Sequence, residues 1–292
     1  MYQRDRGYRL IVGDYKTEQG VLIENLHVTF EVSKSSDNKR GGNSASIEIY
    51  NLSDTTLAKF ETEFLACEFH VGYKDVGINR LVVGEVVQVS TRKSGNDRVT
   101  QLLLGEGYIA LNHQTLKATI PPGKRVFDVV EEIRKRMPGI DRGVFAGMNG
   151  EQLCTYGYPL SGTPKKALEE LCEAYRLEYS IDRNTLSITD EGGLRDKLRT
   201  TAFVLNKDTG LIEIPYYAQE RVKAKGDKTK RTGVQFKALL NTEIVPGSIV
   251  KLESKTVSGY YKVTTARYYG GYRDNDWYVE CFCSMPLDEE LE

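Results

Sequence analysis

Residues 43–53 read NSASIEIYNLS, and the alternation within them decides the fold class. Ala45, Ile47 and Ile49 alternate with Ser44, Ser46, Glu48 and Tyr50, so every second side chain is apolar. A period of two belongs to a β-strand with one buried face and one wet face. At Asn51 the alternation stops. Asn51, Ser53 and Asp54 supply side-chain oxygens that can bond nearby backbone N–H groups and turn the chain. Upstream, Lys39-Arg40-Gly41-Gly42 marks an exposed loop tip. The pattern predicts a long hairpin arm returning into a sheet, which makes a good wall and a poor catalytic site.

Outward from this strand the signals stay β. Residues 8–12, 21–23 and 26–32 form short apolar-rich runs punctuated by Gly13-Asp14 and Gln19-Gly20. Leu57, Phe60, Phe64 and Leu65 fall near helical spacing, which predicts a short helix capped by Ser53-Asp54. Strands at 67–73, 80–92 and 98–105 follow, the last two joined by Ser94-Gly95-Asn96-Asp97. Regular strand–turn repeats of this kind are the mark of a barrel or sandwich.

The texture changes at Pro121-Pro122-Gly123. Val126, Val130, Ile133 and Met137 recur at helical spacing until Pro138-Gly139 ends the run. A second helix starts at Thr163-Pro164, where Thr163 can cap free N–H groups and Pro164 loses nothing at the first position. Its apolar stripe is Leu168, Leu171, Cys172 and Tyr175. Leu177, Tyr179 and Ile181 then alternate, Asp182-Arg183-Asn184 turns, and Leu186 and Ile188 return. From about Thr201 strands resume at 211–214, 234–240, 249–252, 260–267 and 277–284, with turns at Pro246-Gly247 and Ser258-Gly259. Residues 223–231 form a hairpin tip with five basic residues and one acid. The expected architecture is therefore mainly β with an α+β insertion. It consists of a β-barrel or sandwich over 1–120, a small helix–hairpin domain over 121–195, and a second β-unit over 196–292 with an acidic tail. The two β-units could be versions of one plan, although no residue-level repeat is visible.

Composition narrows the function. Lys and Arg number 40 against 41 Asp and Glu, so no global field draws the chain to nucleic acid or an anionic membrane. No apolar run reaches transmembrane length, and the polar start MYQRDRGYR has no signal-peptide core. The expectation is a protein soluble in the cytoplasm that makes it. Cys67, Cys154, Cys172, Cys281 and Cys283 are odd in number and fit no disulfide framework, which predicts reduced core thiols. Cys281 and Cys283 share one face of a strand but have no second pair or nearby His to make a zinc site. Eighteen Tyr against one Trp suit both β-proteins and interfaces, and so do not separate them.

Footprints of catalysis are few. His27, His70 and His113 stand apart, and HExxH, GxSxG and GxxxxGKS are all absent. Gly105-Glu106-Gly107 starts like a dinucleotide fingerprint, but nothing matching follows, and a strand end turning explains it better. A glycosidase needs only two carboxylates placed by the fold. The doublets Glu131-Glu132 and Glu169-Glu170 diverge by about 100° on a helix, so each belongs to a solvated face. Asp190-Glu191 reads as linker polarity. The basic tip 223–231 lacks the interleaved aromatics of single-strand binding. No cofactor or metal is expected.

The strand SASIEIYNLS after a polar loop, with Gly72-Tyr73 ending a later strand, resembles the N-terminal domain of baseplate hub proteins of contractile-tailed bacteriophages. Residues 163–190 are similar to that family's middle unit. KALLNTEIVPGSIVKLES, GYYKVTTARYYG and the Trp277 strand are similar to its second barrel. The resemblance implies a trimeric, non-enzymatic hub in the baseplate of the virion tail, joining the tail tube to the central spike and meeting other baseplate proteins. Each copy would supply two tube-like barrels, so three copies would present six to a sixfold tube, and DNA would pass through the lumen without being bound. Competing readings are a cell-wall-degrading or a carbohydrate-binding tail protein; Trp277, Tyr268, Tyr269 and Tyr272 are the only hint of the latter.

Open sheets leave unpaired backbone groups, which ring-forming subunits continue into their neighbours. The sequence does not identify the edges, so the loop tips are the candidate subunit contacts: Lys39 and Arg40 in one, and Lys223, Lys225, Lys228, Lys230 and Arg231 in the other.

Overall fold

A computed structural model describes residues 5–14, 19–37, 42–60, 65–193, 202–221 and 230–284. Strand makes up 56% of the described residues and helix 14%, so the chain is mainly β, as expected. The first segment holds β1 (Arg6–Asp14), β2 (Gln19–Ile23), β3 (Val28–Ser35), β4 (Ser44–Tyr50), α1 (Asp54–Lys59), β5 (Ala66–Tyr73), β6 (Gly77–Ser94) and β7 (Asp97–Gly105). The middle segment begins with α2 (Tyr108–Asn112), β8 (Leu116–Ile120), β9 (Lys124–Arg125), α3 (Val126–Arg134) and β10 (Asp141–Ala146). It continues with β11 (Leu153–Cys154), β12 (Tyr158–Gly162), α4 (Pro164–Tyr175), β13 (Leu177–Asp182) and β14 (Thr185–Asp190). The last segment holds β15 (Phe203–Leu205), β16 (Tyr216–Arg221), β17 (Lys230–Leu239), β18 (Ile249–Glu253), β19 (Ser258–Gly271) and β20 (Trp277–Ser284).

The opening stretch is β4, with Ala45, Ile47 and Ile49 buried and Ser44, Ser46, Glu48 and Tyr50 on the wetter face. Asn51 takes a left-handed φ of 57°. Its side chain donates to Asp97 Oδ1 (2.8 Å) and accepts from the Arg98 N–H (3.0 Å), fixing the turn. Ser53 Oγ accepts from the Thr56 N–H at 3.2 Å, the expected cap of α1. Thr163 Oγ1 caps α4 by accepting from the Lys166 N–H at 3.3 Å.

The strands of the first and last segments join one sheet, ordered β16-β17-β20-β19-β3-β4-β7-β6-β5-β1-β2, with β15 and β18 attached beside β19. The join is β3 against β19, antiparallel, from Thr29 opposite Gly271 to Ser35 opposite Thr265. Two runs within this sheet follow the same order. β5-β6-β7-β4-β3 in the first segment matches β18-β19-β20-β17-β16 in the last, with the same chain sequence of strands. One hydrophobic core serves both segments, and Phe30 meets both Phe69 (5.1 Å between ring centroids) and Trp277 (5.2 Å) edge-on.

A second core belongs to the middle segment, built from Val126, Val129, Val130, Ile133, Leu168, Leu171, Tyr179, Leu186 and Ile188 among others. It starts upstream of the boundary expected at 120/121, because Ala110, Leu111, Leu116 and Ile120 also pack into it. Three element expectations need correction. Ser258-Gly259 opens β19, and the turn expected there lies at 254–257 instead. Helix α3 stops at Arg134 rather than running to 137. Residues 211–214 are not a strand: Leu211 makes a single bridge to Ala238, and the regular strand β16 begins only after Pro215, which has no N–H to donate. Ile47 is fully buried in the shared core. Ile47→Ala should lower unfolding free energy by about 2–5 kcal/mol, read from the urea midpoint at unchanged slope.

Candidate assembly interface

Strand β13 alternates apolar Leu177, Tyr179 and Ile181 with polar Glu178, Ser180 and Asp182, which on its own promises one dry and one wet face. Both faces are covered. The apolar side chains meet the middle segment's own core, while the polar ones turn toward the large sheet, where Ser36, Ser180, Ser187, Thr189 and Lys262 line one narrow gap. Two buried lysines hold this polar contact. Lys34 Nζ bonds Asp182 Oδ1 and lies 3.6 Å from Glu106 Oε1, with the Lys34 and Glu106 side chains each 1% exposed. Glu106 also accepts from Asn43 Nδ2 (2.6 Å) and from the N–H groups of Val83 and Arg183 (3.3 Å each). Lys262 Nζ lies 3.5 Å from Glu178 Oε1 and donates to the carbonyls of Gly192 (2.7 Å) and Gly193. Burial pushes the Glu106 carboxyl above its usual pKa against the pull of Lys34. The sequence carried one signal of this: Lys34 occupies the same strand parity as Val28, Phe30 and Val32.

The opposite surface of the central strands is open and polar. Ion pairs cross it: Arg267 with Glu31 (2.9 Å) and Glu280 (3.4 Å), Arg92 with Glu48 (2.9 Å), and Lys237 with Glu213 (3.1 Å). Ser33, Ser44 and Ser46 lie between them, beside a shallow groove of about 540 Å³. Each of these charges has an opposite partner, so the face offers little net charge to a passing polymer.

Carboxylate doublets behave as a solvated face does. Glu131 pairs with Arg134 (2.7 Å) and Glu132 with Lys135 (2.8 Å) and Arg136 (3.1 Å). Hydrogen bonds to those cations hold both carboxyls below their ordinary pKa, the wrong direction for a general acid. Asp190 does more than linker polarity requires, accepting from the N–H groups of Met148 (2.8 Å) and Asn149 (3.1 Å). All five cysteines are buried, and none forms a disulfide among the described residues.

Lys39, Arg40, Lys223, Lys225 and Lys228 lie outside the described residues. Lys230 and Arg231 begin β17, in register with Arg221 and Glu220 of β16. Sequence reasoning missed the strand edges themselves. Among the described residues β16 pairs only with β17, and it carries Tyr216 (52% exposed) and Tyr217 (59%) just after exposed Ile214 (70%). At the other end β6 is long: residues 77–85 pair with β5, whereas among the described residues 88–94 pair with β7 alone, Val87 falling in the bulge.

No family model matches the chain, and no curated protein matches it by sequence. Solved structures do match in fold. A 43 kDa tail protein of prophage MuSo2 from Shewanella oneidensis superposes with a TM-score of 0.66 at 8% identity, over 97% of this chain and 99% of that one. A tail protein from Neisseria meningitidis MC58 gives 0.66 at 11% identity, over 96% of each. The E. coli c3393 protein gives 0.56 at 13% identity, over 90% of this chain and 74% of that one. It is described as a type VI secretion component structurally similar to the T4 tail proteins gp27 and gp5. At these identities the likeness is one of fold.

Lys34→Ala leaves buried Glu106 without its ammonium partner, while Asp182 keeps Arg183 (3.1 Å), and should cost about 3–5 kcal/mol, whereas Arg267→Ala on the open face should cost less than about 1 kcal/mol. The sign with pH follows from Glu106. Lys34 pulls the Glu106 pKa down against burial, so without it the folded variant takes up a proton at higher pH than the folded parent does, and falling pH relieves the loss. Denaturant midpoints of Lys34→Ala relative to the parent should recover as pH falls from neutral.

Proposed function

We propose that this chain is a structural component of the baseplate hub of a contractile phage tail, three copies of which form a ring joining the tail tube to the central spike. In this reading the β-units are tube-like domains, and the helix–hairpin unit between them packs on the ring wall through the Lys34 and Lys262 contacts. Sequence limits of 1–120, 121–195 and 196–292 carry over, with the first cut moved upstream to α2.

One observation carries the reading. From β16 to β6 the sheet runs through eight strands, β16-β17-β20-β19-β3-β4-β7-β6, every neighbouring pair antiparallel. An even number of alternating strands leaves two edges running in opposite directions. Copies related by rotation about an axis along the strands can then join head to tail and close on themselves. The open polar face would line the lumen, where paired charges and serines let DNA pass without holding it. Full-length likeness in fold to phage tail proteins supports the same placement in the virion tail. The role is structural, with spike, tube and other baseplate proteins as partners.

Native mass measurement of the full chain, alone and mixed with the tube and spike proteins of its own tail, tests this. The expected species is a complex containing three copies. A chain that stays monomeric and joins neither protein would sink the reading, as would peptidoglycan turnover abolished by one carboxylate substitution. Deleting 227–230 from the basic tip should weaken that assembly while leaving the monomer's thermal midpoint unchanged.

A further inference from the structure

The two matching strand runs can be superposed residue by residue from their hydrogen-bond registers alone. β6 and β19 each break register against their partner at one bulge, between Val86 and Gln88 in β6 and between Val263 and Thr265 in β19. Val86 faces Leu104 and Val263 faces Cys283, so Val86 corresponds to Val263, Gln88 to Thr265 and Ser90 to Arg267. Leu104 in turn faces Ala45, and Cys283 faces Val234, which equates Ser44 with Gly233. Ser33 lies opposite Ser44 and Ala218 opposite Gly233, so Ser33 corresponds to Ala218.

Within one chain, the β3 edge of the first run is bonded to the β19 flank of the second, with Arg267 opposite Ser33. The matching edge of the second run is β16, and the matching flank of the first is residues 87–94 of β6. Among the described residues both are unpaired. We propose that they pair with each other between copies: β16 of one molecule lies antiparallel to residues 87–94 of β6 in the next, in the register of the β3–β19 join. Ser90 then faces Ala218, Thr91 faces Tyr217 and Arg92 faces Tyr216. The closure into a ring rests on the function proposed above; the register does not.

Exposure agrees with this occupant. Tyr217 corresponds to Val32, which is 1% exposed under β19, yet Tyr217 is 59% exposed at its bare edge. Ile214 and Tyr216 beside it are 70% and 52% exposed. On β6, Val87 is 40% exposed. Aromatic side chains left in water along a strand edge are what a covering strand would remove from solvent. A second copy brings such a strand with the required direction, because the two edges run oppositely.

Cysteine pairing reads the register. The full-length double variant Ser90→Cys/Ala218→Cys places both thiols on the surface, while the five native thiols are buried. Within one molecule the two sites stand seven strand spacings apart, on the order of 30 Å along the sheet. Mild oxidation should give reducible multimers from this variant and none from either single variant. The shifted pair Gln88→Cys/Ala218→Cys should give at least tenfold less. Absence of multimers from the 90/218 pair, equal yield from the shifted pair, or dimers from Ala218→Cys alone would overturn the proposal. Tyr217→Glu gives a second readout: it should abolish multimers while leaving the monomer's thermal midpoint within a degree or two, and undiminished association would also overturn the pairing. Product size tests the ring separately. Multimers ending at three support closure, whereas an unending ladder keeps the register and sinks the ring.

Discussion

Everything in the large sheet depends on β3 bonding to β19. Seven residue pairs, from Thr29–Gly271 to Ser35–Thr265, turn two β-rich segments into one wall. Without them Phe30 would lose Trp277, and the shared core would divide into two halves with more exposed apolar surface for their size. Arg6 adds a second tie, its guanidinium donating to the carbonyls of Asn275 (2.6 Å) and Asp274 in the turn between β19 and β20. Backbone bonds set the register, aromatic packing sets the spacing, and together they align a run of eight strands.

The middle segment is attached by different physics. Its contact with the sheet is polar, and two lysines sit in it almost without solvent. Desolvating two ammonium and three carboxylate groups is expensive, so such contacts stabilise less than apolar ones of the same area. What they supply is position. Lys34 reaches Asp182 at one end of β13 and Lys262 reaches Glu178 near the other, so the strand is held at two points and cannot slide by a residue without stranding a charge. An apolar contact would tolerate that slip more readily.

Much of the fold was legible in the sequence because the signals are local. Strand β4 declared itself by alternation, and Ser53 and Thr163 by their capping positions. What stayed hidden was non-local or compensated. Nothing near Val32 announces that Tyr268 will lie opposite it. The polar parity of β13 correctly marks a hydrophilic face but is silent on whether water or a lysine will meet it. Strands β8 and β12 are five residues each, interrupted nearby by Pro121-Pro122 and Gly157, too short for a period to show. The candidate contacts were placed at charged loop tips because charge is visible in a sequence. A strand edge is visible only once its neighbours are known.

The β3–β19 bond also imposes a schedule on synthesis. Ser35 and its partner Thr265 are 230 positions apart along the chain (265 less 35), so β3 emerges long before β19 exists. At about 5–20 residues per second the ribosome leaves that strand without its mate for on the order of tens of seconds. A nascent chain in that interval offers an adhesive ribbon to any other nascent chain nearby. Crowded translation would make this the step at which chaperones are most needed.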